Sequence, residues 1–459
     1  MKFLPFKFLL VFALFFSGCF LCGCKEEARS EKIIHLWIFN NSPNPLDDMS
    51  KILKGFHVEN PGLKVEVTIL DWGSGFSKMV LAAATRNGPD VVQVPSTWAA
   101  SLTDIGALMP LDSITSIWGN PNLFITGSRE TMSPKNSTSI TSLPWFLDVR
   151  PFYYREDVLK ALHIDPSTIN SREKFVDVLQ KIKKSNLSIN DKIVSPMEYP
   201  AKNDWNIVHN FASWVFSAGG SFLSEDLSNS NLLDSKTLDG IYFYLDFVKN
   251  GYNDYSNLDK TTAGVSSDFD QGKTAFIGET TSKLIYLENQ NFMQGSNTQV
   301  VEYGCITPPT AKKGLPAKYF LGGSNLGIFK TTKVKRESLA LLRYLTTQSD
   351  VQFQFSKMSG FLPALSETYN LSYFSENKNR TVFQKIVENG MSYPAVPFWS
   401  TIETDVLVKR FNNIFNIIAS SEGKQWPQNK IDAELNAANN EINIIIGKDV
   451  MKRNNKKKL

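Results

Sequence analysis

The sequence has few cysteines and very little net charge. Only 4 of its 459 residues are Cys, which excludes a small fold held together by disulfide bonds. The 49 Lys and Arg residues barely exceed the 45 Asp and Glu residues, so the formal net charge is only +4. Such a small excess does not indicate a surface for nucleic acid, and we expect no nucleic-acid partner. With 42% hydrophobic and 20% charged residues, the composition is that of a globular protein.

The sequence also lacks the local motifs of common catalytic and metal sites. Its four histidines form no HExxH motif and no other close pair. There is no GxGxxG motif between a predicted strand and a predicted helix, and no GxSxG motif of a nucleophile elbow. We therefore predict no metal, no cofactor and no enzymatic activity. A glycosidase stays open as an alternative, because two facing carboxylates leave no local pattern.

The first residues are typical of an export signal. Lys2 and Lys7 precede the apolar run Phe8–Phe16. These nine residues are too few to cross a membrane as a helix, which takes ~20 residues. A short apolar run after positive charges is typical of a signal peptide, so we predict one over residues 1–23.

The end of this segment resembles a bacterial lipobox. Leu21 to Cys24 is Leu-Cys-Gly-Cys, and in such signals the last Cys receives lipid after cleavage. We predict that Cys24 is lipidated and begins a tether over residues 24–32, so that acyl chains hold the protein at a bacterial membrane. Lipidation at Cys19, or ordinary secretion, is the alternative. Because the other cysteines are then removed or acylated, Cys305 is predicted to be a buried and unpaired thiol.

The next stretch alternates between strand and helix patterns. Strands are predicted over 33–39, 63–70 and 90–94, and helices over 46–58 and 76–86. This alternation predicts a parallel α/β sheet with right-handed crossovers. Ligands bind beyond the carboxyl ends of the strands in such sheets. Trp72 and the run Ser96, Thr97 and Trp98 lie just beyond two of these ends.

The rest of the chain continues with strand and helix patterns. Strands are predicted over 152–154, 302–306 and 320–329, and helices over 155–162, 172–184, 205–216, 234–250, 335–347 and 404–420. Trp214 lies among apolar residues and is predicted to be in the core. The basic residues 448–459 are predicted to be a frayed, solvated tail, with a membrane-surface patch as the alternative.

Several segments, taken in order, resemble one protein family. They include Phe56–Val67 (FHVENPGLKVEV), Gly88–Thr97 (GPDVVQVPST), Leu143–Asp157 (LPWFLDVRPFYYRED), Gly272–Thr280 (GKTAFIGET) and Gly322–Lys330 (GGSNLGIFK). The set resembles the bacterial extracellular solute-binding proteins of the maltose-binding type, which are the capture subunits of ABC importers. The resemblance extends from about Ile33 to Ile446.

The resemblance implies a particular architecture. The expected fold is α/β, the two-lobe periplasmic-binding-protein fold with an interlobe cleft and hinge crossings. The implied limits are 33–147 plus 310–347 for lobe 1, 148–309 plus 348–447 for lobe 2, and 448–459 for the tail. The implied crossings lie near Trp145–Phe152, Ile306–Lys312 and Gln348. Proteins of this fold close their lobes around a ligand.

The resemblance and the strand ends together suggest binding residues. A sugar offers apolar ring faces and a rim of hydroxyls, so its site combines aromatic rings with carboxylates, amides and guanidinium groups. The aromatic candidates are Trp72, Trp98, Trp205 and Trp399. The polar candidates are Ser96, Thr97, Asp148, Arg150, Glu279, Thr280 and Asn325. For the aromatic candidates a core position is the alternative, and for Asp148 and Arg150 the alternative is a hinge salt bridge. Glu279 and Thr280 stand where many relatives have Pro-Trp, which replaces a stacking surface with an acceptor.

The resemblance implies a monomeric, lipid-anchored, extracytoplasmic subunit of an ABC importer that captures a sugar or oligosaccharide. Its partners would be a small-molecule solute, the permease subunits, and a bacterial membrane at the cell surface or in the periplasm. One alternative is the same fold binding a polyol or a glycerol-phosphate-type solute. Another is a lipid-anchored carbohydrate-active enzyme.

Overall fold

The computed structural model describes residues 31–113, 121–135, 137–202, 204, 206–293, 302–312, 314 and 317–456. The predicted signal peptide, Cys24 and Trp205 lie outside the described residues, as do most of the predicted tether and the last three residues of the tail. In the part that is described, no helix is both long enough and apolar enough to span a membrane.

The strands of the described residues are β1 (Lys32–Phe39), β2 (Leu63–Leu70), β3 (Val91–Pro95), β4 (Ser142–Val149), β5 (Phe152–Arg155), β6 (Ser188–Ile189), β7 (Lys192–Ile193), β8 (Ser195–Glu198), β9 (Thr274–Gly278), β10 (Tyr303–Ile306), β11 (Tyr319–Ile328), β12 (Leu362–Pro363) and β13 (Gly390–Met391).

The α-helices of the same residues are α1 (Pro45–Glu59), α2 (Gly75–Thr85), α3 (Ala99–Asp104), α4 (Thr126–Arg129), α5 (Glu156–Ala161), α6 (Arg172–Ser185), α7 (Ile207–Ser217), α8 (Ser235–Lys249), α9 (Thr262–Asp270), α10 (Ser282–Met293), α11 (Lys335–Thr347), α12 (Ser349–Ser359), α13 (Ser372–Ser375), α14 (Lys378–Glu388), α15 (Trp399–Thr401), α16 (Lys409–Ala419) and α17 (Gln428–Lys456). Short 3₁₀ turns cover Pro121–Leu123, Pro166–Thr168, Tyr255–Asn257 and Ser366–Asn370, and a π-helical segment covers Ile402–Val408.

Seven of the described strands form the first sheet. Their order is β12-β4-β11-β3-β1-β2, and β13 pairs with β11. β1 is parallel to both β2 and β3, which confirms the parallel β-α-β-α-β start predicted from the sequence. β11 runs antiparallel to β3 and β4, so the complete sheet is mixed. Helix α1 begins with Pro45 in its first turn, where a missing N–H costs no helical bond, and buries Ile52 and Phe56 from its apolar stripe.

Four described strands form the second sheet, in the order β10-β5-β9-β8. Successive side chains of β5 point to opposite faces, so Phe152 and Tyr154 join one hydrophobic core and Tyr153 joins another. The first of these cores also takes in α6, α7, α8, α16 and α17. The other lies between the first sheet and helices α1, α11, α12 and α14.

The chain passes between the two sheets where hinge crossings were predicted. It leaves the first sheet after Val149 and enters the second at Phe152. It leaves the second sheet after Ile306 and re-enters the first at Tyr319. The first passage places β4 and β5 almost end to end in the chain, so residues 150–151 between them lie at the junction of the sheets.

The first sheet also includes two strands from the part of the chain after Gln348, although the predicted lobe 1 ends at residue 347. β12 pairs with β4, and β13 pairs with β11. Helix α12 explains this pairing, because its Phe355 ring lies 4.4 Å from the Trp145 ring and 5.3 Å from the Phe146 ring of β4. That contact brings the following residues to the edge of the first sheet. The lobe limits themselves stay a prediction.

Two predictions about buried residues are confirmed; the tail is mainly exposed over residues 448–453, as predicted, but the prediction that it is frayed is wrong. Trp214 is 1% exposed, and the unpaired Cys305 is buried. The tail is not frayed over its described part, because α17 continues to Lys456. Lys452 Nζ lies 2.8 Å from Asp104 Oδ2 at the end of α3, so this end of the helix contacts the rest of the molecule.

Candidate ligand-binding site

The carboxyl ends of β1, β2 and β3 carry a cluster of aromatic rings. The ring of Phe39 stacks on Trp72 with 4.2 Å between centroids and meets Trp98 edge-on at 5.8 Å. Phe76 lies 5.3 Å from Trp98. Trp72 and Trp98 are only partly buried, so each keeps part of its surface accessible. The structure therefore brings these two predicted site residues together at the predicted edge of the sheet.

Polar side chains hold the backbone of this edge in place. Gln93 Oε1 accepts hydrogen bonds from the Phe39 N–H at 2.9 Å and from Asn41 Nδ2 at 2.7 Å. The Ser96 N–H donates to Gly323 O at 3.0 Å. Ser96 and Thr97 are partly buried beside Trp98. These bonds give the aromatic edge a fixed geometry before any ligand arrives.

Asp148 and Arg150 lie at the first passage between the sheets. Arg150 Nη2 donates to Asp148 Oδ2 at 3.0 Å and to Asn206 Oδ1 at 2.9 Å. The salt bridge that was the alternative for this pair is thus present. Asp148 Oδ1 and Arg150 Nε are nevertheless buried without a hydrogen-bond partner among the described residues. Burial raises the pKa of Asp148, and the neighbouring Arg150 charge opposes that rise.

Glu279 and Thr280 follow β9 on the second sheet and lie near Arg150. Glu279 Oε1 accepts a hydrogen bond from the Thr280 N–H at 2.7 Å, and Thr280 O accepts one from the Tyr153 hydroxyl at 2.9 Å. Burial raises the pKa of Glu279, while the charge of Arg150 acts in the opposite direction. The two predicted residues therefore belong to the polar surroundings of the first passage.

Trp399 ends a row of stacked rings. It is 1% exposed, and its ring stacks on Tyr393 with 4.4 Å between centroids. The rings of Tyr393 and Phe320 lie 5.7 Å and 4.7 Å from that of His209. Trp399 Nε1 is buried and has no hydrogen-bond partner in the described residues. An unpaired indole N–H is costly in a core position, where Trp normally finds an acceptor.

Glu403 follows Trp399 by one helical turn, within the π-helical segment. Its Oε1 lies 3.6 Å from His209 Nε2, and its Oε2 is buried without a hydrogen-bond partner among the described residues. Burial raises the pKa of Glu403 to about 8, although Thr97 and Trp399 beside it partly oppose the rise. Burial lowers the pKa of His209 to about 3, and the Arg150 charge adds to that effect. At neutral pH both side chains are therefore mainly uncharged.

A contact between α3 and α15 joins the aromatic edge to the cluster formed by His209, Tyr393, Trp399 and Glu403. Ser101 Oγ lies 2.6 Å from Pro397 O, to which it donates, and 2.7 Å from Ser400 Oγ. Ser101 follows Trp98 on the first sheet's side, and Ser400 follows Trp399 on the other side. The predicted aromatic residues therefore approach each other from two parts of the molecule.

Asn325 is the predicted site residue that is held most firmly inside the protein. It lies in β11 and is 2% exposed. Its Nδ2 donates to Thr131 O at 3.0 Å and to Ser142 Oγ at 2.9 Å. Its amide is thus used in bonds that join β11 to neighbouring segments, and the structure does not bring it to the cluster around Trp399. Trp205 lies outside the described residues.

The sequence comparison identifies the family. The family model of the bacterial extracellular solute-binding proteins matches residues 42–352. The chain belongs to this family. It is also similar to a protein of Brucella abortus (strain 2308) named as a binding protein, with 22% identity over 367 residues, which cover 80% of this chain and 84% of that protein.

Solved structures share the fold of this solute-binding protein. The sugar-binding protein MalE from Xanthomonas citri matches with a TM-score of 0.74 at 20% identity, over 92% of this chain and 99% of that chain. An ABC transporter solute-binding protein from Agrobacterium radiobacter K84, in complex with ribitol, matches with a TM-score of 0.71 at 17% identity, over 90% of this chain and 98% of that chain. The predicted two-lobe periplasmic-binding-protein fold and the predicted resemblance to the maltose-binding type are confirmed.

Sequence patterns did not point to several residues at the junction of the sheets. Asn206, His209, Tyr393 and Glu403 were not predicted as site residues. One pattern could have suggested Glu403, because it follows the predicted Trp399 by four positions and so shares a helical face with it. The others become visible only when distant segments are assembled. Among the described residues, no three His, Cys, Asp or Glu side chains are grouped so that they could hold a metal ion.

Proposed function

We propose that this solute-binding protein is the lipid-anchored, extracytoplasmic subunit of an ABC importer and captures a neutral sugar or oligosaccharide by closing its two lobes. One observation carries the proposal. Among the described residues, four of the ten buried side-chain polar atoms without a hydrogen-bond partner belong to residues at the junction of the two sheets, next to partly buried Trp rings at the aromatic edge. These four atoms, unpaired within the described part of the chain, are Asp148 Oδ1, Arg150 Nε, Trp399 Nε1 and Glu403 Oε2.

The aromatic edge supports a ligand with apolar faces. Trp72 and Trp98 keep accessible surface although they pack on Phe39 and Phe76. Aromatic rings that line a concave site offer apolar contact and stacking energy together. The ring face of a sugar fits this description, and so does the carbon chain of a polyol.

The unpaired atoms support a ligand with many hydroxyl groups. Leaving a buried donor or acceptor unpaired costs about 1–3 kcal/mol, so most buried polar groups in proteins have partners. The unpaired atoms here include the guanidinium and indole N–H donors of Arg150 and Trp399 and the carboxylate acceptor of Asp148. A hydroxyl group both donates and accepts, so a polyhydroxylated solute can pair with all of them.

The charge of the site favours a neutral solute over a phosphate. Arg150 is balanced by Asp148, and Glu279 adds a further carboxyl group nearby. His209 is uncharged at neutral pH because its pKa is about 3. A phosphate group is usually bound by surplus positive charge. A polyol remains the second candidate, and the structure of the Agrobacterium relative in complex with ribitol supports it.

Lobe closure is supported by the connections between the sheets. Two short passages join them, and the Ser101–Ser400 contact bridges elements from both sides of the junction. A ligand drives closure only if it binds the closed form better than the open form. A solute that contacts both Trp98 and Trp399 meets this condition, because separating the lobes would remove one of the two contacts.

The membrane anchor and the transport partners complete the proposal. Lipidation of Cys24 is supported by the lipobox-like sequence that ends there. Delivery of solute to permease subunits is supported by the family match and by the ABC transporter relative, and we propose that the subunit is a monomer. The same match supports binding without catalysis.

A thermal-shift screen tests the function. A bound solute raises the melting temperature, because it stabilises the folded state by RT ln(1 + [L]/Kd). We expect at least one of maltose, maltotetraose, α-D-tagatose and ribitol to raise the melting temperature and to be recovered unchanged. Stabilisation by glycerol phosphate alone would contradict a neutral ligand, and hydrolysis of a bound sugar would identify an enzyme.

A Trp98→Ala variant links the binding to the proposed site. We expect this variant to bind the solute about tenfold more weakly in calorimetry, since the loss of a stacking contact of about 1.4 kcal/mol has that effect. Trp426→Ala is the matched control, because Trp426 is also partly buried but lies between α16 and α17. Equal affinities of the two variants would remove Trp98 from the site.

A further inference from the structure

We infer that Glu403 is a specificity-determining residue of the solute site, where its protonated carboxyl group donates a hydrogen bond to an ether or hydroxyl oxygen of the bound neutral solute. This inference rests on the proposed function and adds a chemical requirement to it. The solute must present an acceptor oxygen to Glu403. The same group makes binding sensitive to alkaline pH.

The local backbone directs Glu403 and Trp399 toward the same place. The chain changes from α-helix at Trp399 to a π-helical turn that contains Glu403, and such turns often occur at functional sites. The residues around it on this segment, such as Ile402 and Val406, are buried apolar side chains. Glu403 is 6% exposed and yet brings a carboxyl group into this position. A segment selected only for packing would place an apolar residue there.

Among the described residues, Glu403 makes no close side-chain hydrogen bond through Oε2, although Thr97 and Trp399 lie near enough to lower its pKa. The distance of 3.6 Å from Oε1 to His209 Nε2 is longer than a hydrogen bond, and Oε2 has no partner among the described residues. Trp399 Nε1 is unpaired as well. These polar groups of Glu403 and Trp399, one helical turn apart, thus lie near each other and near Thr97, beyond the carboxyl end of β3. A solute oxygen there would pair with both.

Among the described residues, no Lys or Arg forms a salt bridge with Glu403, and Arg150, whose charge acts on His209 and Tyr393, is paired with Asp148. The titratable groups that face Glu403 are His209 from α7 and Tyr393 from the segment before α15. Thr97 and Trp399 are its uncharged polar neighbours. Helices α16 and α17 also pack against the π-helical segment, but their Arg410 bonds to Glu434 and Glu441.

The protonated form therefore prevails at neutral pH. Among the described residues, Glu403 has no salt bridge with Lys or Arg, and burial raises its pKa to about 8. A protonated carboxyl group is a donor, which the ionised group is not. Raising the pH through the pKa of Glu403 replaces the donor with a buried charge and should weaken the binding of the solute.

The test compares the pH dependence of binding in three variants. The probe is whichever of maltose, maltotetraose, α-D-tagatose and ribitol binds most tightly at pH 7. For the unaltered protein we expect affinity to fall about tenfold or more between pH 7 and pH 9.5. Each pH unit above the pKa of Glu403 lowers the fraction of its protonated donor form about tenfold. Glu403→Gln keeps an N–H donor and the shape, so its affinity should stay constant over this range. Glu403→Ala should bind about tenfold more weakly at pH 7.

Asp405→Asn is the matched control. Asp405 lies on the same segment but is exposed, so this variant should keep the pH profile of the unaltered protein. If the unaltered protein binds a probe with the same affinity from pH 7 to pH 9.5, the inference is overturned and the proposed function stands. The same holds if Glu403→Gln keeps the alkaline loss of affinity. If no probe binds at any pH, both the inference and the proposed function fail.

Discussion

Asn325 is a buried predicted site residue whose amide is already used in hydrogen bonds within the protein. Its amide makes hydrogen bonds to Thr131 and Ser142 within the first sheet and its surroundings. We expect Asn325→Ala to lower the free energy of unfolding by about 1–3 kcal/mol, because it leaves these buried partners unpaired. Urea unfolding followed by Trp fluorescence measures the change. Calorimetry on the folded variant should give an unaltered affinity for the solute.

The control for this prediction is Asn436→Ala. Asn436 is exposed on α17 and donates one hydrogen bond to Asp432 O of its own helix, so its replacement should change stability very little. Unchanged stability of Asn325→Ala together with lost affinity would mean that Asn325 binds the solute after all, as the sequence predicted.

Residues at strand ends could be predicted, whereas the buried polar cluster could not. Trp72 and Trp98 directly follow predicted strands, and parallel strands bring their carboxyl ends together. Glu403 is of interest because it is buried without a salt bridge to Lys or Arg among the described residues, and its surroundings include His209 and Thr97 from distant parts of the chain. No spacing in the sequence reveals that property.

Elements built from local patterns were predicted best. The strands and helices from β1 to β3 agree with the prediction to within one or two residues, because apolar periodicity and Gly or Pro breaks define them. The antiparallel placement of β11 and the two-residue strand β12 depend on partners far along the chain, as in the pairing of Leu362 with Leu147. Such pairings have no local signature.

Helix α17 consists of a buried part and an exposed extension. Ile431, Leu435, Ala438, Ile442 and Ile446 form its buried stripe, and Ile446 is the last of them. Beyond it, the Lys452–Asp104 ion pair is partly exposed. We expect truncation after Gly447 to change the free energy of unfolding by less than about 1 kcal/mol, because exposed ion pairs contribute little. Urea unfolding again provides the measurement.

Ile442→Ala is the contrasting variant for this helix. Ile442 is fully buried, so removing its side chain should cost about 2–5 kcal/mol. A truncation as harmful as this substitution would mean that the extension packs as part of the core, and that α17 acts as a single unit to its end.

At the scale of the molecule, the proposed lobe closure can be tested at the contact between α3 and α15. Ser101 on α3 contacts Pro397 and Ser400 directly through its hydroxyl group, and it is 6% exposed. A large side chain at this position has no room unless α3 and α15 separate, because packed interiors contain few voids. The contact therefore offers a way to hold the lobes apart without altering the proposed solute contacts.

We expect a Ser101→Trp variant to fold but to resist closure. In X-ray scattering, the unaltered protein should decrease its radius of gyration when a solute from the screen is added, whereas the variant should keep the larger value. Its affinity should fall about tenfold or more, since the solute must then contribute the free energy of displacing the wedge. Ser420→Trp is the control, because Ser420 is exposed at the end of α16 and should leave closure intact. Contraction of Ser101→Trp to the same extent as the unaltered protein would mean that the solute is captured without the approach of α3 to α15.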